Sequence, residues 1–103
     1  MFYVDAPDGA NLTTYPSNTT LLRASNLTLM CSAEASPKAA FNLSFNGTFV
    51  KTSTSGIFRV TVMSDGVYTC VPFNKIDEGK DASINVTVVG ELTFLLIHLI
   101  AET

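Results

Sequence analysis

The side chains that could do chemistry in this sequence are two cysteines, one histidine and seven asparagines. Cys31 and Cys70 are 39 residues apart, far from the C-x-x-C spacing of metal sites and redox pairs. In a small domain two such cysteines favour a single disulfide, which implies an oxidising compartment. A bridge closing a loop of this length contributes roughly 4 kcal/mol to stability.

Six of the seven asparagines begin an Asn-x-Ser/Thr triplet, the acceptor sequence for N-glycosylation. With Ser and Thr at 22 of 103 residues, about one or two such triplets would arise by chance. A polar, strand-rich chain with many Asn and Thr is the plainer alternative. The full set favours a glycosylated surface and passage through a secretory pathway. The six predicted sites are Asn11, Asn18, Asn26, Asn42, Asn46 and Asn85.

Few other side chains suggest catalysis or metal binding. His98 lies in the apolar C-terminal run LTFLLIHLI, so no Cys/His or Ser/His pair can be assembled around the predicted fold. Asp77, Glu78 and Asp81 are close in sequence but lack the ligand spacing of a calcium loop. We therefore expect a solvated acidic loop, no metal, no cofactor and no enzyme activity.

The composition indicates one domain with a compact core. The chain has 103 residues, of which 47% are hydrophobic and 15% charged, a balance unlike that of disordered chains. The net charge is −3 at pH 7 and the pI is near 4.8. This mild acidity argues against nucleic acid as a partner.

The elements that position these side chains are strands, because apolar and polar residues alternate with a period of two. Asn46-Gly47 is a strong signal for a type I′ hairpin turn, 53–56 and 64–66 are turns by composition, and 74–81 is a charged loop. Pro7 and Pro16 interrupt one or two edge segments within 2–22. The predicted strands are 26–33, 41–46, 48–52, 57–63, 67–73 and 82–89.

Seven or eight short strands with a turn about every ten residues predict an all-β fold, a two-sheet antiparallel sandwich. Cys31 and Cys70 both fall on inward positions of separate strands. A bridge between them could therefore join the two sheets.

The order Cys31, an apolar strand centre at Leu43, the Asn-Gly turn and then Asp65-Gly66-x-Tyr68-x-Cys70 resembles an immunoglobulin superfamily domain of the I-set or C2 type. The resemblance covers about residues 5–90 and implies an immunoglobulin-like sandwich over residues 1–90. It also implies that the Cys31–Cys70 disulfide links strands B and F. Tyr68 would form the tyrosine corner beside the turn at Gly66.

Two positions depart from the family pattern. Leu43 stands where the family usually has a Trp packed on the disulfide, with Phe41 and Phe45 as candidates to fill the volume. The usual acidic residue before the second Cys is displaced by one position, to Asp65. We therefore do not expect the ion pair of that corner.

Strand alternation also predicts what faces outward. Asn42 and Asn85 should point away from the core, on strands that flank the strand of Cys70 in the family's topology. Val71 and Phe73 would then be outward apolar residues between two glycans, a candidate partner contact. The alternative is that another domain of the same chain covers them.

The termini do not fit the sandwich. Residues 1–5 lack the basic and apolar segments of a signal peptide, so we expect the chain to be an excised piece of a longer protein. The tail 91–103 has an apolar run at 92–100, too short to span a bilayer. A truncated juxtamembrane anchor is favoured over an amphipathic appendage or a further strand, and this leaves room for membrane anchoring of the full-length protein.

The resemblance implies an extracellular recognition or cell-adhesion module, part of a cell-surface receptor or secreted glycoprotein. Its partner would be a protein, bound homophilically or heterophilically through a sheet face or loops. Two alternatives remain: a glycosylated structural spacer, and a secreted ligand-binding or inhibitory domain.

Overall fold

The computed structural model describes residues 5–90. The expectations for Met1, for His98 and for the tail 91–103 lie outside the described residues. Within them the chain forms eight β-strands and no helix, so no helix there is long and apolar enough to cross a membrane. The strands are β1 Asn11–Tyr15, β2 Thr20–Leu22, β3 Ser25–Ser32, β4 Ala40–Phe45, β5 Thr48–Ser53, β6 Ile57–Val62, β7 Gly66–Phe73 and β8 Ala82–Val89.

The strands form two sheets packed as a sandwich, which confirms the predicted fold class. One sheet has the order β1-β3-β6 and the other has the order β2-β8-β7-β4-β5. Every pairing is antiparallel except that of β2 with β8, which is parallel. The predicted antiparallel pairing holds for every other pair of strands, and the exception arises because the N-terminal segment crosses between sheets after Tyr15 and then runs along β8.

The core lies between the inward faces of the two sheets and confirms the alternation seen in the sequence. Cys31 of β3 and Cys70 of β7 form the disulfide, with 6.7 Å between their Cα atoms. Since β3 and β7 belong to different sheets, this bond links the two layers. The other core residues include Leu21, Leu27, Leu29, Phe41, Leu43, Phe58, Val62, Tyr68 and Val86.

The β4–β5 hairpin turns at Asn46 and Gly47, as predicted. Their φ angles are 51° and 83°, the positive values that both central residues of a type I′ turn require. Gly56 also has a φ of 83°, and its carbonyl accepts a hydrogen bond from the Cys31 amide at 2.8 Å. The 53–56 turn is thereby fixed to the strand that carries the disulfide.

Candidate functional site

The six predicted glycosylation sites lie on both faces of the sandwich. Asn11 and Asn26 belong to the three-stranded sheet, whereas Asn42 and Asn85 belong to the five-stranded sheet. Asn42 is half-buried and the other three are exposed. The remaining two, Asn18 and Asn46, are exposed beside β2 and in the β4–β5 turn.

Several of these asparagines are held through the side-chain oxygen. Asn18 Oδ1 accepts a hydrogen bond from the Thr20 amide at 2.9 Å, and Asn46 Oδ1 accepts one from the Val67 amide at 2.8 Å. Asn42 Oδ1 accepts one from the Thr52 hydroxyl. None of these bonds uses Nδ2, the atom to which an N-linked sugar is attached, so they are compatible with modification.

Val71 and Phe73 lie on the outward side of β7 but are half-buried. Val71 is directly opposite Asn42 on β4, and Phe73 is opposite Ala40. A sugar on Asn42 would therefore stand beside Val71. The two residues are brought together as expected, but they are not the most exposed apolar surface of the described chain.

More exposed apolar side chains cluster where β5, an edge of one sheet, faces β6, an edge of the other. Val50 and Met63 are 42% and 51% exposed there, whereas Phe49, which is 62% exposed, lies opposite Ser44 of β4. A groove of about 420 Å³ opens there between the layers. Its lining includes Phe45, Val50, Lys51, Arg59, Met63 and Tyr68, and these residues are called the edge groove below.

The floor of the edge groove is made by two aromatic rings. Phe45 and Tyr68 pack with their centroids 4.7 Å apart and their planes tilted by 48°, a favourable geometry for an aromatic pair. Burial raises the pKa of Tyr68. Within residues 5–90 its phenol makes no hydrogen bond, so the ring contributes by packing rather than through the bond of a tyrosine corner.

Gly66 has a different role from the one its sequence context suggests. It begins β7 and does not have a positive φ, so the turn itself does not require glycine. A Cβ at this position would overlap the ring of Phe45 and lie 2.7 Å from Asn46 Oδ1. Gly66 therefore makes room for the aromatic floor of the edge groove.

The rim of the edge groove is cationic. Lys51 Nζ donates a hydrogen bond to the Arg59 carbonyl at 3.4 Å and so spans the opening between β5 and β6. Both side chains are exposed, and among residues 5–90 no carboxylate lines the groove. The arrangement suits an apolar group accompanied by negative charge.

Asp65 and Leu43 have structural roles. Asp65 Oδ1 accepts a hydrogen bond from the Val88 amide at 2.6 Å, which ties the turn before β7 to β8. Leu43 is fully buried and lies opposite Cys70 in the β4–β7 pairing. It occupies the position beside the disulfide with less volume than a Trp would.

The loop between β7 and β8 is organised by Asn74, the asparagine that is not part of a triplet. Its Nδ2 donates to the carbonyls of Asp5 at 2.7 Å and Pro37 at 3.0 Å. Its Oδ1 accepts from the amides of Ile76 at 2.9 Å and Asp77 at 3.3 Å. One side chain therefore joins three segments and holds Ile76 with 47% of its surface exposed.

The part of the chain that the structure describes brings together no three His, Cys, Asp or Glu side chains that could hold a metal ion. Asp77, Glu78 and Asp81 are exposed on the β7–β8 loop. The edge groove was missed by sequence reasoning. The one available signal was the adjacent pair Phe49-Val50 in a strand whose first five residues are all exposed.

The chain is similar to known proteins both in sequence and in fold. A family profile described as an immunoglobulin domain matches residues 10–88. Among solved structures, the crystal structure of the N-terminal four immunoglobulin domains of Dscam1 isoform 1.9 is similar with a TM-score of 0.62 at 15% identity. That match covers 81% of this chain and 22% of the other, so the chain spans only a small part of that relative.

A second similar structure is the PKD domain of an M14-like peptidase from Thermoplasmatales archaeon SCGC AB-540-F20. Its TM-score is 0.60 at 15% identity, with 84% of this chain and 98% of that domain covered. At this identity both likenesses show the fold alone. They support a sandwich architecture that unrelated proteins use for different purposes.

Proposed function

Because the chain belongs to the immunoglobulin domain family, we propose that it is an extracellular glycoprotein module that recognises a protein partner. It works at a cell surface or as a secreted domain, and it acts by binding rather than by catalysis. The disulfide supports an oxidising compartment, and the six triplets support a glycosylated surface.

The observation that carries this proposal is an exposed apolar edge whose own two strands carry no predicted glycan. Val50 and Met63 are exposed in the edge groove, and neither β5 nor β6 contains an acceptor asparagine. Exposed apolar surface rimmed by polar groups is typical of a protein contact. The outer face of β7, with Val71 and Phe73, is the second candidate contact.

A spacer is the competing function, and one observation favours it. Acceptor asparagines lie on both sheets: Asn11 and Asn26 on one, Asn42 and Asn85 on the other. Sugars on both faces would keep the module soluble and separate its neighbours. A spacer would not need the exposed apolar side chains of the edge groove.

The proposal is tested with the full chain produced in a secretory host, so that the disulfide and the glycans are retained. Fluorescent tetramers of the protein are applied to a panel of cell types, and coated beads are tested for aggregation. We expect binding that Met63→Glu weakens by about tenfold or more, because it introduces charge at the centre of the contact. The double variant Val71→Thr/Phe73→Ser serves as the comparison for the β7 face.

The outcomes separate the candidates. Loss of binding on Met63→Glu alone supports the edge groove, whereas loss on the β7 variant alone supports the sheet face. If neither beads nor any cell type binds the wild-type protein, the recognition function is rejected in favour of the spacer.

A further inference from the structure

We propose that the partner of the edge groove is a second copy of this chain, bound head to tail through its β7–β8 loop. The inference rests on the proposed function and names the partner and the two surfaces. In this loop Ile76 is the apolar side chain that enters the groove of the next copy, here called the apolar knob. Asp77 and Glu78 carry the negative charges that meet the groove's rim. These three residues are called the acidic tip below.

The edge groove suits an occupant that is both apolar and anionic. Its floor is formed by Phe45 and Tyr68, with Val50 and Met63 along the sides. Lys51 and Arg59 lie at the rim, and no carboxylate of the described part of the chain is in the lining. An aliphatic side chain next to a carboxylate satisfies both conditions, because the chain is buried while the charges meet their opposites at the rim.

The acidic tip has this chemistry. Ile76 is 47% exposed, and Asp77 and Glu78 follow it and are exposed as well. Lys75 and Lys80 also lie in the loop, but the two residues directly after Ile76 are both acidic. The order Ile-Asp-Glu therefore presents an aliphatic group with two adjacent negative charges.

The acidic tip is also preorganised for binding. Asn74 accepts hydrogen bonds from the amides of Ile76 and Asp77 and donates to Asp5 and Pro37. The Gly79 amide donates to the Pro72 carbonyl at 2.8 Å, which closes the loop at its base. Since the loop is already ordered, little conformational entropy is lost when it docks.

One copy cannot fill its own groove. Tyr68 lines the edge groove near the start of β7, and the acidic tip follows the other end of the same strand. An eight-residue strand is about 25 Å long, so the two surfaces lie towards opposite ends of the sandwich. Contact between different surfaces of identical chains is heterologous, and it propagates as a row of molecules unless a ring closes.

Predicted sugars would modulate this contact. None of the acceptor asparagines lines the edge groove, although Asn46 follows Phe45 in the chain and Asn26 accepts a hydrogen bond from the hydroxyl of Thr61, a residue of the lining. Asn42 borders the same hollow as Ile76. A sugar on Asn42 should therefore restrict access to the acidic tip, and Asn42→Gln is expected to strengthen association.

The test is sedimentation velocity of the secreted full chain over a range of concentrations. We expect the mean sedimentation coefficient of the wild type to rise with concentration. The groove-reversed variant Lys51→Glu/Arg59→Glu and the tip-reversed variant Asp77→Lys/Glu78→Lys should each associate about tenfold more weakly, because their contacts become repulsive. An equimolar mixture of the two should associate again, since each groove then meets a tip of opposite charge.

Matched controls make the test specific. Arg23→Glu reverses one charge at an exposed position that lines neither the edge groove nor the hollow beside Ile76, and should associate like the wild type. Ile76→Ser removes the apolar knob without changing charge and should weaken association. Circular dichroism and thermal unfolding establish that every variant is folded.

Three results would overturn the inference: a wild type that stays monomeric, reversed variants that associate like the wild type, or a mixture that does not recover. Association through the tail 91–103 would give the second result, because all variants share that tail. If the wild type stays monomeric while Met63→Glu still abolishes cell binding, the proposed function stands and the partner is a different protein.

Discussion

Gly47 and Gly56 have the same φ of 83° but different surroundings. A Cβ at Gly47 would meet nothing within 4 Å, whereas a Cβ at Gly56 would overlap the Cys31 carbonyl and lie 3.2 Å from the Phe41 ring. The first glycine is needed for its backbone angle alone. The second is needed for its angle and for the close approach of the turn to β3.

Substituting Gly47 and Gly56 by alanine should therefore lower the free energy of unfolding by different amounts. Gly47→Ala should lower the free energy of unfolding by about 1–2 kcal/mol, the cost of a left-handed conformation for a residue with a Cβ. Gly56→Ala should lower it by about 1–3 kcal/mol more, because the added methyl overpacks against backbone. Urea unfolding with the disulfide intact measures both, and equal losses would contradict the role assigned to the contact with Cys31.

At this scale the sequence predicts what is local. Asn46-Gly47 is recognisable because a dipeptide signals its own turn. The contacts that exclude a Cβ at Gly56 and Gly66 are not, because each involves a residue distant in sequence, Cys31 in one case and Phe45 in the other. The role of Asn74 is not recognisable for the same reason, since its partners Asp5 and Pro37 are far along the chain.

At the scale of elements, β3 and β7 hold the sandwich together. Each contributes one cysteine from the inward face of a different sheet, and Leu43 of β4 is buried opposite Cys70. These placements could be predicted because a period of two fixes which residues face the core. The parallel pairing of β2 and the edge groove could not, since they depend on which strand edges meet in space.

The double variant Cys31→Ala/Cys70→Ala should lose about 4 kcal/mol of unfolding free energy, on the view that the bridge restricts the unfolded chain. Replacing both cysteines avoids a free thiol that could form mixed disulfides. Denaturant unfolding of the variant is compared with the wild type under oxidising conditions, and with the wild type in reductant. A variant with an unchanged midpoint would show that packing around Leu43 holds the sheets without the bond.

At the scale of the whole molecule, the predicted sugars and the edge groove occupy different parts of the surface. Asn11 and Asn26 flank the outer face of the three-stranded sheet, where Met30 is 39% exposed. Met30 lies opposite Thr13, and Thr13 is two residues from Asn11 on the same face of β1. Met63 lies at the edge groove, 51% exposed, on a surface without an acceptor asparagine in β5 or β6.

The two methionines are therefore internal probes of this division, because oxidation to the sulfoxide follows exposure of the sulfur. In the dilute glycosylated protein, peroxide should oxidise Met63 faster than Met30. Enzymatic removal of the sugars should accelerate oxidation of Met30 severalfold and leave Met63 unchanged, as measured by peptide mass spectrometry. At concentrations where copies associate, Met63 should become protected while Met30 does not. Equal acceleration of both methionines on deglycosylation would mean that sugars also cover the β5–β6 edge, and that edge would then be closed to a partner.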